Sequence, residues 1–196
     1  VFPTINIKRE KNKFSINNKN KNKNISLNEN QIIQFFENDF SLFKINNSKF
    51  DLENIFSFTI DKKYKVENFQ INSDLILKEM NLSNKVNLKK YLPKAKDFLR
   101  LTNHKVKIEI KKNYFSLKGN GKILLQEKLD DIEYEIIKSK KDVKFNGLIR
   151  TGKNPFNIDF LNFKKNENSK FDISFKGKKD LILNKILFKD ISLEEN

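Results

Sequence analysis

The sequence predicts a mainly β protein, built as an antiparallel meander of short strands with one or two short helices. Apolar and polar residues alternate with a period of two in many short segments, as expected for strands with one buried face. Short polar breaks separate these segments. Only two stretches have their apolar residues at helical spacing.

Each alternating segment carries its apolar side chains on one face and its polar ones on the other, which is typical of an antiparallel sheet with one face in water. The segments are residues 4–8, 50–53, 56–61, 69–72, 75–77, 106–111, 115–118, 132–136, 143–146, 156–160, 171–175 and 186–188.

The breaks predict hairpin turns at residues 61–63, 111–113, 138–141 and 164–168. Gly119 and Gly121 predict a bulge or bend within a strand. The low-complexity run at residues 17–24, in which Asn and Lys alternate, predicts a solvated hairpin loop or insertion.

Two stretches predict helices. Residues 28–36 have paired apolar residues at helical spacing, with Asn28 or Asn30 as the N-cap. A second apolar stripe runs from Leu88 to Leu99, and Pro93 within it predicts a short helix over residues 94–100. We therefore divide the chain into residues 1–44, with strands, a polar loop and a short helix, and residues 45–196, a strand-rich segment interrupted near 88–100.

A recurrent step, apolar-x-(Asn/Asp)-apolar, predicts β-bulges, because the extra residue switches the apolar face and Asn or Asp tolerates the unusual backbone angles. The step occurs at Asn68 and Asp190, with looser forms at Asn54 and around residues 158–163. Its recurrence suggests a repeating β architecture.

The net charge of +15 invites a nucleic-acid interpretation. However, only Arg9, Arg100 and Arg150 of the 40 basic residues are Arg, the residue that best pairs with phosphate. Asn, Ile, Phe and Lys are abundant, as an AT-rich genome would produce. We therefore expect no nucleic-acid partner.

Several classes of site lack support in the sequence. With no Cys there is no disulfide or thiolate metal site. His104, the only His, is expected in a surface loop. Nucleotide-binding loops and a nucleophile elbow are also missing. The acidic residues Glu127, Asp130, Asp131, Glu133 and Glu135 are best explained by charge pairing across strands. We predict no catalytic residue, metal or cofactor, and no enzyme activity.

The apolar face leaves two architectures open, because 19 Phe residues exceed what a small sandwich core needs. Two sheets could bury each other's apolar faces. Alternatively, a single curved sheet could leave apolar surface for an acyl chain, a partner strand or a neighbouring repeat.

The pattern resembles the AsmA-like envelope proteins, the group that includes AsmA, TamB and YhdP. The block that carries the resemblance is residues 88–93, then Asp97-Phe98-Leu99, then the Gly-containing strand 115–121, similar to the short helical interruption and following strands of YhdP-type chains. Phe98 stands where such chains often have Trp. No residue run is long enough to span a membrane as a helix. The chain begins Val1-Phe2-Pro3, and we expect it to be a segment of a longer protein.

The resemblance implies a curved antiparallel sheet that forms an open, taco-like apolar groove for phospholipid acyl chains. It implies transport in the periplasm of a bacterial envelope, with the parent protein anchored in the inner membrane through parts outside this segment. The expected groove-lining residues are Phe50, Leu52, Phe56, Phe58, Ile60, Phe69, Ile71, Leu75, Leu77, Val106, Ile108, Ile110, Phe115, Leu117, Ile132, Tyr134, Ile136, Phe145, Phe156, Ile158, Phe160, Phe171, Ile173 and Phe175. The alternatives are a basic nucleic-acid-binding β module and a purely structural β-solenoid or scaffold segment.

Overall fold

The computed structural model describes residues 4–31, 43–84, 87–159, 162–167, 169–183 and 185–195. The protein is mainly β, as predicted. Its strands are β1 (Thr4–Glu10), β2 (Lys13–Asn28), β3 (Phe43–Asp61), β4 (Val66–Asn84), β5 (Phe98–Lys111), β6 (Tyr114–Leu124), β7 (Leu129–Lys138), β8 (Asp142–Thr151), β9 (Phe156–Ile158), β10 (Phe163–Lys165), β11 (Phe171–Asp180) and β12 (Lys185–Glu195).

Ten of these strands form one antiparallel sheet in the order β1-β2-β3-β4-β5-β6-β7-β8-β11-β12. Strands β9 and β10 leave the sheet between β8 and β11 and form a separate two-stranded hairpin. Within the described residues the sheet is not closed, and its edges are β1 and β12. The single open sheet was one of the two architectures that the sequence left open, and the meander is confirmed.

Short turns join neighbouring strands at residues 62–65, 112–113 and 139–141, which confirms three predicted hairpins. At the first, the Asp61 carboxylate accepts hydrogen bonds from the backbone N–H groups of Lys63 (2.8 Å) and Lys65 (2.9 Å). At the second, Asn113 has a φ of 60°, a conformation that Asn tolerates better than most residues. Of the fourth predicted turn, Lys164 and Lys165 lie in β10, and Asn168 lies outside the described residues.

The prediction of a loop at residues 17–24 is wrong, because this run lies within β2 and pairs with β3 as far as Asn22. The alternation of Asn with Lys is itself a period of two. It places Lys19 and Lys21 on one face, where their ammonium groups lie 2.8 and 3.2 Å from the Glu53 carboxylate. Pairing and alternation outweigh the low strand preference of Asn and Lys.

The helix predicted over residues 94–100 is also wrong, since β5 already begins at Phe98. The stripe instead forms one 3₁₀ turn at Leu88–Lys90, capped by the Asn87 side chain. At the first predicted helix, residues 29–31 are helical. The Asn28 and Gln31 side chains each accept a hydrogen bond from the other's backbone N–H, at 3.1 and 3.0 Å. The remainder of that predicted helix, residues 32–36, lies outside the described residues.

The recurrent step marks bulges at two of its positions. Asn68 has a φ of 55° beside a register shift between β3 and β4. The register of β11 with β12 shifts between the partners Asp190 and Phe188. Around Asn54 the pairing is regular, so no bulge forms there. Asn162, with a φ of 52°, lies instead in the turn between β9 and β10.

Three strands carry a bulge at the same level of the sheet. The bulges lie at Asn24 of β2, Lys78 of β4 and Asn103 of β5. Asp51 of β3 links two of them: its carboxylate accepts from the Asn24 backbone N–H (2.7 Å) and from Lys78 Nζ (2.9 Å). Both hydrogen bonds lower the pKa of Asp51, and the bond from the Asn24 N–H has the larger effect. Since bulges bend strands, an aligned row of them curves the sheet across several strands.

Candidate functional site

The strand register brings most of the predicted groove-lining residues onto one face of the ten-stranded sheet, which we call the apolar face. One cross-strand row runs Leu52, Leu75, Val106, Gly119, Tyr134, Gly147 and Phe175. The remaining predicted residues of this face are Phe50, Phe56, Phe58, Ile60, Phe69, Ile71, Leu77, Ile108, Ile110, Phe115, Leu117, Ile132, Ile136, Phe145, Phe171 and Ile173. Phe156 and Ile158 lie instead on β9, and Phe160 lies outside the described residues.

One end of this face is covered by residues 88–97 and the β9–β10 hairpin, which together we call the cap. Under residues 88–97, Leu99, Ile123 and Leu125 form a buried cluster that Leu88 and Leu92 touch. Between the hairpin and the sheet, Phe156 and Ile158 of β9 and Phe171 of β11 form a second cluster. The predicted stripe of apolar residues near 88–100 therefore does bury apolar surface, although it is not a helix.

The other end of the apolar face carries two rows of half-buried side chains, which we call the open stretch. One row is Ile108, Leu117, Ile136 and Phe145, and the next is Ile71, Ile110, Phe115, Lys138 and Val143, in which Lys138 at the end of β7 is the one charged residue. Within the described residues, both buried clusters lie at the capped end, and none forms over the open stretch. The open stretch is thus an apolar surface on a single sheet layer.

Aromatic rings lie against glycines on neighbouring strands of the apolar face. Tyr134 lies over Gly119, where an added Cβ would come within 2.6 Å of its ring. The His104 ring lies over Gly121 in the same way, Phe175 over Gly147, and Phe145 over Gly177. The bulge predicted at Gly119 and Gly121 occurs at this level, but its extra residue lies on β5, between Thr102 and Lys105. The glycines are therefore sites of close approach by rings.

His104 is fully buried within β5, so the prediction of a surface loop is wrong. The β5 bulge turns its ring onto the apolar face, where Nε2 lies 2.9 Å from the Lys122 carbonyl and Nδ1 lies 3.1 Å from the Tyr134 hydroxyl. The carbonyl can only accept, so Nε2 carries the proton and Nδ1 accepts from the hydroxyl. Burial lowers the pKa of His104 and raises that of Tyr134 to about 12. Both groups are neutral near pH 7, in keeping with an apolar surface.

A buried polar network fastens the cap to the sheet. The Asn154 amide donates to the Asp130 carboxylate and to the Lys128 carbonyl, both at 2.8 Å, and Lys165 Nζ donates to the Asn154 carbonyl at 2.7 Å. The Gln126 side chain accepts from the Lys94 N–H (3.0 Å) and donates to the Pro155 carbonyl (2.8 Å). Burial raises the pKa of Asp130, against the hydrogen bond from Asn154.

The opposite face of the sheet is charged, and Asp131 and Glu133 pair with cations across strands as predicted. Asp131 lies 2.6 Å from Lys122 Nζ, Glu133 lies 2.6 Å from Arg150, and Glu135 accepts from the Asn146 amide at 2.9 Å. Three residues of the predicted acidic group depart from charge pairing across strands: Glu135 pairs with the uncharged Asn146 amide, Glu127 lies before β7 and pairs with Lys94 of the cap (3.0 Å), and Asp130 turns to the apolar face and joins the cap network.

The described residues contain no group of His, Asp and Glu side chains arranged to hold a metal ion. Over the same part of the chain, no helix is both long and apolar enough to cross a membrane.

Sequence reasoning missed two sets of polar residues on the apolar side. The cap network has no local signal, because its members are far apart in the chain. The Asn residues of β2 did have a local signal, because Asn18, Asn20 and Asn22 occupy alternate positions and so share one face. They are in register with Phe56, Asn54 and Leu52 of β3.

Comparison with known proteins gave no match to a family model, a curated protein or a solved structure.

Proposed function

We propose that this chain is a segment of an AsmA-like, lipid-conducting β-groove of a bacterial envelope, and that its open stretch holds phospholipid acyl chains. The observation that supports this most is that a largely apolar face, interrupted at Asn54 and Ser73, extends from β3 to β8 on a single open sheet, with no buried cluster over the open stretch in the described residues.

The dimensions suit an extended hydrocarbon chain. Six neighbouring strands, β3 to β8, span about 24 Å at a spacing of about 4.8 Å. Each methylene removed from water contributes about 0.8 kcal/mol. A run of aliphatic and aromatic side chains can therefore hold an acyl chain without a specific polar contact, and can let it slide, since successive positions are chemically alike.

The groove surface favours this use because its row through Ile108, Leu117, Ile136 and Phe145 carries no charge, and the one charged residue of the open stretch, Lys138, lies at the end of β7. The rings that lie against glycines occupy the space that a side chain at those positions would fill. His104 and Tyr134 satisfy each other's hydrogen bonds in the neutral state, so they add little cost for an apolar guest.

Photo-crosslinking on the purified chain tests the proposal. A photoreactive residue replaces Ile108 on the apolar face or its neighbour Lys107 on the charged face, and the protein is irradiated with detergent-solubilised phospholipid. We expect lipid capture at Ile108, and also at Phe58 and Phe175, but little at Lys107 or at Ile173, which packs against the buried cluster of the cap. Equal capture at Ile108 and Lys107, or none at either, would contradict the proposal and leave a structural scaffold as the better explanation.

A further inference from the structure

Polar, uncharged side chains interrupt the apolar face near β2. Asn18, Asn20 and Asn22 of β2, Asn54 of β3 and Ser73 of β4 share this face, because Asn20 pairs with Asn54 and Asn54 with Ser73. We call these five residues the amide strip. The next positions across the sheet are Ile108 and Leu117, so the strip continues directly into the open stretch.

Structural roles explain only part of the strip. The Ser73 hydroxyl donates to Asn54 Oδ1 at 2.5 Å. Asn18 is only 4% exposed, yet its Oδ1 has no hydrogen-bond partner among the described residues. An unpaired buried acceptor is unfavourable, and Asn is a poor strand former. Because Oδ1 only accepts, a ligand group without a donor would leave it unpaired, and the residues open to such a group are Asn20 and Asn22. By contrast, the Lys residues that alternate with these Asn residues have ion-pair partners on the charged face.

The chemistry of the strip selects an uncharged polar partner. Amides donate and accept hydrogen bonds but carry no charge, and the ammonium groups of Lys19 and Lys21 lie on the other face, paired with Glu53. Asn20 is half-buried and Asn22 exposed, so their amides can be reached from the groove, and neither has a side-chain hydrogen bond within the described residues.

We propose that the amide strip binds the ester groups of an acyl lipid, so that the ester carbonyls accept hydrogen bonds from the Asn20 and Asn22 amides while the acyl chains extend over the open stretch toward β8. This inference rests on the proposed function, and it adds a fixed orientation: the polar end of the lipid lies at β2 to β4. A charged headgroup then projects beyond the strip toward water.

The test compares two phosphatidylcholines with the same C16 chains, one ester-linked and one ether-linked, because an ether oxygen is the weaker acceptor. The change is the pair Asn20→Leu and Asn22→Leu. Its matched control is Asn72→Leu with Asn120→Leu, two exposed Asn residues on the charged face. Lipid retained by each purified protein is measured by native mass spectrometry, and folding is checked by circular dichroism.

We expect the unmodified chain and the control to prefer the ester lipid about five-fold, the effect of one net hydrogen bond. The Asn20→Leu, Asn22→Leu protein should bind both lipids equally, with ether-lipid binding kept. Equal binding of both lipids by the unmodified chain, or a preference that survives the double change, would overturn the orientation alone. Absence of binding to either lipid would overturn the proposed function with it. If the double variant does not fold, the single variants Asn20→Leu and Asn22→Leu are measured in the same way.

Discussion

The two ends of the apolar face carry the same kinds of side chain but in different surroundings. At the capped end, Phe171 is 3% exposed, beneath Phe156 and Phe163. On the next strand of the same face, Phe188 is 54% exposed and touches only Phe145 among aromatic rings of the described residues. The sheet supplies one layer, and a second layer exists only where the cap adds it. Alternation in the sequence thus reports which face is apolar, but not what covers it.

The sharpest test of this difference truncates a Phe at each end. Phe171→Ala should lower the free energy of unfolding by about 3–5 kcal/mol, because it leaves a cavity beneath the cap. Phe188→Ala, its control, should cost less than about 1 kcal/mol, since much of the ring is already in water. Urea unfolding followed by circular dichroism gives both values. Equal losses would mean that the two ends are packed alike.

The rings over glycines offer a second test within the face. Gly147→Val would place methyl groups where the Phe175 ring lies, and overpacking of this kind costs about 1–3 kcal/mol. Gly152→Val is the control, because nothing lies within 4 Å of a Cβ at that position. Thermal unfolding should show a clear decrease for Gly147→Val and little change for Gly152→Val. A tolerated Val at Gly147 would contradict the close packing of ring on glycine.

His104 tests whether the middle of the face is as dry as its geometry indicates. Burial lowers its pKa from 6.5, so the unfolded chain binds a proton more readily than the folded one. Its contribution to stability is therefore complete above pH 6.5 and decreases as the pH falls from there toward the folded pKa.

We expect His104→Asn to make the loss of stability between pH 7 and 5 shallower than in the unmodified chain, since Asn does not titrate. The raised pKa of Asp130 acts in the opposite direction, but it is common to both proteins and cancels in the comparison. Urea unfolding at several pH values measures the slopes, and identical slopes would argue against a buried neutral His104.

The smallest effect is expected on the charged face. Glu53→Gln removes the ion pairs with Lys19 and Lys21, which are largely in water. Exposed pairs add little to stability. Glu53→Gln should change the melting temperature less than Phe171→Ala or Gly147→Val does. The change caused by Glu53→Gln should become smaller still in high salt, because salt screens exposed charges. A large decrease would show that β2 depends on its ion pairs rather than on pairing with β3.

Most strands could be predicted because alternation is a local property, readable within five or six residues. The Lys–Asn run of β2 alternates in the same way. Its composition suggested a loop, but alternation and pairing with β3 make it part of a strand. The cap could not be predicted in this way. Its 3₁₀ turn and β9–β10 hairpin are held by contacts such as Asn154 with Asp130 and Lys94 with Gln126, between residues more than twenty positions apart.

His104 illustrates the other limit of sequence reasoning. A polar residue after Asn103 in a Lys-rich stretch suggests a surface loop, but the bulge at Asn103 rotates the next side chain onto the apolar face. Gly121 opposite leaves room for its ring. Alternation with Val106 already places His104 on the apolar face, but whether its ring is buried there depends on Gly121 of the neighbouring strand, which is not a local signal.

The open stretch should accept a lipid chain and the charged face should not. Because the chain contains no Trp, fluorescence measures this difference directly. Single Trp residues replace Ile108 on the apolar face and Lys107 on the charged face, and each protein is titrated with phospholipid carrying brominated acyl chains. We expect Trp fluorescence to be quenched strongly at position 108 and weakly at position 107. Equal quenching at both positions, or none at 108, would contradict it.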